Sequence, residues 1–179
     1  MASYVYICEA ANIFVGDAGP NNDKSLILES VKLPDLEENT VAFHPGGSYG
    51  ALEIGGLGLK ELMVEFKTVG CDPQTLANFG VFGVASTNYT IYGAFRSKQD
   101  NSLVQLKAMI TGRMKKVTPD SYKRGDLFGE TFQISEVIHY ELDFNGAQLY
   151  FYDFFTQSWA VNGVSMTAAV NTMLGLAAT

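Results

Sequence analysis

Residues 131–146 read Thr-Phe-Gln-Ile-Ser-Glu-Val-Ile-His-Tyr-Glu-Leu-Asp-Phe-Asn-Gly. From Phe132 to Phe144 six of the seven even positions are apolar, and from Thr131 to Asp143 six of the seven odd ones are polar. A period of two over this length is the signature of a long half-buried strand. Asn145-Gly146 follows at once, and both residues tolerate the positive φ that a two-residue hairpin turn demands. Gln148–Phe155 then returns as an aromatic strand, apolar on both faces.

Working outward, Tyr89–Arg96 and Leu103–Lys115 flank the polar turn Lys98-Gln99-Asp100-Asn101-Ser102 and form a second hairpin. Leu62, Val64 and Phe66 alternate with Met63, Glu65 and Lys67 in a further strand. Together these predict a mainly β chain, an antiparallel meander rolled into a barrel or sandwich. Helix is scarce. Asp72-Pro73 reads as an N-cap with proline at N1, opening one short helix through Leu76 to Phe79 that ends at Gly80. Val164–Leu174 is a candidate for a second. Between Pro34 and Gly58 lies a loop with Pro45 and six glycines (Gly46, Gly47, Gly50, Gly55, Gly56 and Gly58). A loop so long within a compact domain is usually functional.

The 179 residues fit one domain, 1–179, in which 34–58 is the extended loop and 160–179 a C-terminal helix or arm. Apolar residues make up 47% and charged residues only 17%, which suits a surface partly covered by partners. The formal charge of −7 argues against a sequence-independent nucleic-acid binder, which gains affinity by neutralising phosphates. Residues 1–65 carry ten acids against three bases. In the neutral remainder, Lys107, Arg113, Lys115, Lys116, Lys123 and Arg124 precede an all-acidic run from Asp126 to Asp153. Such segregation suits head-to-tail association, and equally an ordinary solvated face.

The residues point away from catalysis. Gly46-Gly47-Ser48-Tyr49-Gly50 matches G-x-S-x-G in letters, but no strand-to-helix context surrounds it. Gly55-Gly56-Leu57-Gly58 lacks both the P-loop and the dinucleotide spacing. His44, His139, Cys8 and Cys71 show no zinc spacing, so no metal or cofactor is expected. His139, Glu141 and Asp143 share a polar strand face, where a solvated surface is commoner than an acid–base pair. Cys8 and Cys71 are too few for a disulfide framework, leaving free thiols or a link between subunits. The uncharged stretch Phe154–Thr179 is broken by too many polar residues for a lipid-facing span, and no membrane partner is expected.

The chain as a whole resembles the major tail tube protein family of contractile-tailed bacteriophages. The resemblance starts at Val31-Lys32-Leu33-Pro34-Asp35-Leu36 and runs through Gly46-Gly47 with Gly50, Glu53-Ile54, Leu57, Leu62 and Phe66. Gly70 with Asp72-Pro73, Phe79-Gly80, Gly93-Ala94-Phe95 and Gly112-Arg113-Met114-Lys115-Lys116 continue it. Tyr140–Leu142, Asn145-Gly146, Asp153, Val161-Asn162-Gly163-Val164 and Leu174-Gly175-Leu176 complete it, so it covers about Asn12 to the C-terminus. Tyr4–Glu9 and Asp17–Asp23 depart from the pattern.

The resemblance implies a non-enzymatic virion protein, assembled in the host cytoplasm into stacked hexameric rings. Those rings would form the inner tube of the tail. Its implied partners are further copies of itself, the sheath, the tape-measure protein and the baseplate and terminator proteins, with DNA passing the lumen unbound. It also implies that the 34–58 loop packs on adjacent subunits. The expected contact residues are therefore Asp35, Glu37, Glu38, Gly46 and Gly47, with Lys115, Lys116, Lys123 and Arg124 as their basic counterpart, and Cys8 and Cys71 as a candidate inter-subunit pair. The alternatives are the tube of a related injection or secretion machine that carries proteins, and a monomeric barrel that binds a small ligand.

Overall fold

The computed structural model of the chain describes residues 4–81 and 85–176. Its strands are β1 (Tyr6–Val15), β2 (Leu28–Lys32), β3 (Val41–Phe43), β4 (Leu52–Ile54), β5 (Val64–Val69), β6 (Thr87–Ser97), β7 (Leu103–Pro119), β8 (Gly129–Phe144), β9 (Ala147–Asp153), β10 (Ser158–Val161) and β11 (Val164–Ser165). The helices are α1 (Pro73–Leu76) and α2 (Ala168–Met173). All ladders are antiparallel, and the main sheet runs β1-β6-β7-β8-β9-β10-β11.

The strand read first from the sequence organises this sheet. One edge of β8 is lined by β7. Along the other, β5 pairs with residues 129–134 and β9 with residues 139–144, so the sheet forks between them. The fork coincides with a bulge. Thr111 stands opposite His139 and Arg113 opposite Ser135, leaving Gly112 alone against Glu136, Val137 and Ile138. Glu136 takes φ 51° there and is exposed, while Ser135 and Val137 on either side are buried. Gly112 is required by close approach: a Cβ at this position would lie 2.9 Å from the Ile134 Cγ2 and 3.0 Å from the Ser135 carbonyl oxygen.

The fork lets the sheet curl around one core. Ile13, Val64, Tyr89, Ile110, Ile134 and Tyr140 point inward, and Phe66 stacks on Phe132 with centroids 4.9 Å apart. Burial pushes the Tyr89 and Tyr140 phenols up to about 12, so both stay neutral. The barrel expected from the sequence does not close. Strands β1 and β2 lie near each other without pairing, and residues 22–24 bridge them, where Val15 N–H donates to Asn22 O (3.2 Å) and Lys24 N–H to Ile13 O (3.1 Å). That crossing is locked by a buried ion pair: Lys24 Nζ lies 2.6 Å from Asp72 Oδ2, with side chains 5% and 10% exposed. Asp72 also caps α1, accepting from the Thr75 hydroxyl (2.6 Å) and the Thr75 amide (3.4 Å).

The expected hairpins form in their expected places, with both strands of the 98–102 hairpin longer than the alternation indicated. Three local expectations are corrected. Helix α1 stops at Leu76, and Asn78 and Phe79 continue only as turns. Phe154 and Phe155 leave β9 and sit exposed in the turn to β10. Val164 begins a strand instead of a helix, because Asn162 (φ 51°) and Gly163 (φ 75°) make a second Asn-Gly hairpin turn. The C-terminal helix is α2 alone, and residues 177–179 of the expected C-terminal arm lie outside the described residues.

Candidate assembly surfaces

The 34–58 loop is ordered as an arm. Strands β3 and β4 pair with each other only, Val41 opposite Ile54 and Phe43 opposite Leu52, apart from the main sheet. Its root is closed by Asn39 N–H to Gly58 O and Lys60 N–H to Glu37 O, both 2.8 Å, and by the Glu38–Leu59 bridge. At the tip, Ser48 Oγ donates to the Gly50 carbonyl (3.1 Å) inside a turn, so the G-x-S-x-G letters carry no nucleophile geometry. None of residues 35–58 is buried, although Val41, Phe43, Tyr49, Leu52, Ile54 and Leu57 are large and apolar. A two-stranded hairpin of this size is at best marginal in water and needs a further strand or surface.

Within one chain, the residues expected to meet across a contact are already engaged locally. Asp35 pairs with Lys32 at 2.6 Å, Glu37 with Lys60, and Glu38 accepts from the Gly56 amide. The Glu38 carboxylate also fills the space where a Cβ on Gly55 would sit, 2.8 Å from its Oε2, so Glu38 shapes the arm as well as charging it. Gly46 and Gly47 lie at the tip. Lys115 reaches Glu61 at 3.4 Å, just beyond the arm root, and Lys123 pairs with Asp126 at 3.1 Å. Among the described residues, Lys116 and Arg124 make no ion pair, leaving that end of β7 and its following loop with two uncommitted cations. Cys8 and Cys71 are both exposed free thiols.

Other apolar side chains stand exposed around this frame. Tyr4, Val5 and Ile7 lead into β1, and Val170, Met173 and Leu174 line α2. Phe154, Phe155, Tyr152, Trp159 and Met166 face Gly56, Gly58 and Leu59 of the arm root across an open groove of about 800 Å³. Strand periodicity marks none of Tyr4, Val5, Ile7, Val170, Met173 and Leu174 as a surface, and it reads the aromatic stretch 148–155 as strand alone. By contrast, several polar side chains on the non-core face of the central sheet pair with one another, beside the aromatics Phe14, Tyr92 and Phe151. Gln148 donates to Glu141 at 2.6 Å, Thr111 to Asn88 at 2.8 Å, and His139 lies 3.4 Å from Asp153. Burial works against the Asp153 carboxylate, but the Thr156 amide and hydroxyl and His139 outweigh it and hold its acidity below the usual range. Among the described residues no cluster of three or more metal-ligating side chains occurs, and no helix is long and apolar enough to cross a membrane.

The open, curled antiparallel sheet is similar in fold to components of contractile injection systems. The sheath/tube terminator of the extracellular contractile injection system PVC, in its extended state, aligns with a TM-score of 0.56 at 12% identity, over 80% of this chain and 99% of the other. The PVC sheath–tube complex gives 0.52 at 12%, over 75% and 88%. The tube-terminating cap of the anti-feeding prophage gives 0.55 at 9%, over 80% and 93%. A search of curated protein sequences returns no match. The family model for phage tail tube protein FII matches residues 11–175, and the chain belongs to that family of structural tube proteins.

Proposed function

We propose that this chain is the repeating subunit of the inner tube of a contractile phage tail, closing into rings, hexameric by family resemblance, that stack head to tail. The observation that carries the proposal is the arm: an ordered hairpin whose large apolar residues, Val41, Phe43, Tyr49, Leu52, Ile54 and Leu57 among them, are left exposed by the described residues of its own chain. Interfaces that join different patches on successive copies generate rings when they close and filaments when they repeat along an axis. The sheath surrounds the tube, and terminator and baseplate proteins bound its ends. The tape-measure protein and then the genome occupy the lumen. Assembly takes place in the host cytoplasm, and the finished tube resides in the virion tail. The net charge of −7 suits a conduit that does not grip phosphates. The subunit acts through its surfaces and not as an enzyme.

The acidic arm root (Asp35, Glu37, Glu38) and the basic group Lys115, Lys116, Lys123 and Arg124 remain the proposed charge-complementary contacts between copies. The local pairing of Asp35, Glu37, Glu38, Lys115 and Lys123 means that these would trade partners on assembly, whereas Lys116 and Arg124 would gain one. Replacement of residues 35–56 by a short flexible linker tests the reading. The truncated protein is expected to keep its β circular dichroism and lose tube growth; long tubes from it would overturn the role given to the arm. A second reading, the tube of a related injection machine that carries proteins, draws on the likeness to PVC and anti-feeding prophage components. Phage sheath and baseplate genes beside this one favour the first.

A further inference from the structure

Among the described residues several strand edges lack a neighbour, and two of them could complement each other. The first belongs to the arm, whose β3 and β4 each have one unpaired side. The second is the N-terminal half of β1. Val5 O accepts from Lys98 N–H, on the β6 side, whereas Ile13 and Val15 turn their backbone groups the other way, toward 22–24. The bulge between Cys8 and Ala10 shifts the phase, so Tyr6, Cys8 and Ala11 present N–H and C=O groups away from β6. Among the described residues no strand pairs with them.

Exposed edges are normally blunted by charge, proline or brevity. The outer edge of β2 carries Glu29 and Lys32, and the unpaired side of β7 carries Arg113, Lys115, Lys116 and Pro119. Strand β11 is two residues long. The β1 edge has no proline and is not short, and its only irregularity is the bulge between Cys8 and Ala10. Its residues 6–11 are Tyr, Ile, Cys, Glu, Ala and Ala, and the single charge, Glu9, is tied to Arg96 at 2.6 Å. Exposed Tyr4 and Val5 precede this edge, and Ile7 is exposed within it. The arm needs a further strand or surface to be stable in water, and the β1 edge offers a template for a strand.

Resting on the assembly reading above, we infer that the arm of one copy adds as a strand to the free β1 edge, residues 6–11, of a second copy. From its root near Glu38 to its tip at Ser48 the arm spans about ten residues, roughly 30 Å of extended chain, enough to cross to a neighbouring subunit. Main-chain hydrogen bonds hold the arm there, and its apolar side chains cover Val5 and Ile7.

The native thiol of Cys8 makes this testable. In a Cys71→Ser background, cysteines are introduced one at a time across β3 (Val41→Cys, Ala42→Cys, Phe43→Cys) and β4 (Leu52→Cys, Glu53→Cys, Ile54→Cys), and assembled protein is oxidised with diamide. Paired strands bring Cα atoms within the separation a disulfide needs. The expected result is a cross-linked dimer band at alternate positions of one arm strand, since every second residue faces the same side, abolished by Cys8→Ser. Assembled rings or tubes with no Cys8-dependent dimer at any of the six positions would overturn the inference while leaving the assembly reading intact. A protein that forms no oligomer at all overturns both. Independently, Ala11→Pro removes one outward N–H without touching the β6 ladder. It is expected to keep the β spectrum and lose tube growth, and undiminished tubes would contradict the inference.

Discussion

Replacing Lys24 by methionine would leave the Asp72 carboxylate buried without its cation. The pair lies 2.6 Å apart with side chains 5% and 10% exposed, in contrast to the largely solvated Lys32–Asp35 and Lys123–Asp126 pairs. Removing one partner of a buried pair costs about 3–5 kcal/mol. Asp72 keeps its two donors from Thr75, which places the expected loss near the lower end, about 3 kcal/mol. For a chain of this size that is about 9 °C in Tm. The double variant Lys24→Met/Asp72→Asn should recover to within about 1 kcal/mol of wild type, because asparagine caps a helix as well as aspartate does. Acidity gives a second readout. Burial disfavours the ionised Asp72, but Lys24 and Thr75 outweigh it and hold the carboxyl below its ordinary value. The stabilisation is therefore complete above the unfolded value of about 4 and is lost as pH falls through the lower folded value. Thermal melts followed by circular dichroism between neutral pH and strong acid should show part of the acid sensitivity missing in Asp72→Asn. A cost below about 1 kcal/mol for Lys24→Met, the figure for an exposed pair, would refute the claim that this contact locks the β1 crossing.

Glu136→Asn should stabilise the folded subunit by about 1 kcal/mol in denaturant titration, since asparagine accepts positive φ more readily than glutamate. Gly112→Ala should destabilise it by about 1–3 kcal/mol, because the added methyl meets Ile134 and the Ser135 carbonyl and neither yields freely. Charge reversal at Glu37 and Glu38 should weaken assembly mildly, by at most about 1 kcal/mol at Glu37, where the charge is exposed. The larger effect is expected at Glu38, whose carboxylate holds the Gly56 amide, and sedimentation of assembled protein measures both. Purified tubes should not retard duplex DNA at physiological salt, and tight salt-sensitive retardation in a gel would contradict the neutral-conduit reading.

The sheet was legible where burial is one-sided. Alternation located β8, and Asn-Gly and 98–102 located its neighbouring hairpins. The two residues that broke the alternation, Glu136 and Val137, were the written trace of the bulge, whereas reading 164–174 as a candidate helix passes over the same Asn-Gly signal at 162–163, which makes the β10–β11 turn. Sequence alone could not show that 34–58 is a paired arm, because short strands exposed on both faces have no period to read. Nor could it show the Lys24–Asp72 lock, which joins residues far apart in the chain. The candidate contact residues were placed by resemblance. Their in-chain partners Lys32, Lys60 and Glu61 emerge only once the arm root is folded.

Negative-stain electron microscopy of the purified protein, with sizing chromatography on the same sample, tests the central claim most directly. The account predicts rings viewed end-on and hollow stacks viewed from the side, with wild-type protein eluting well above the 19.5 kDa of one chain. A lone monomer on the column and no rings or tubes on the grid, across a wide range of protein concentration, would contradict it.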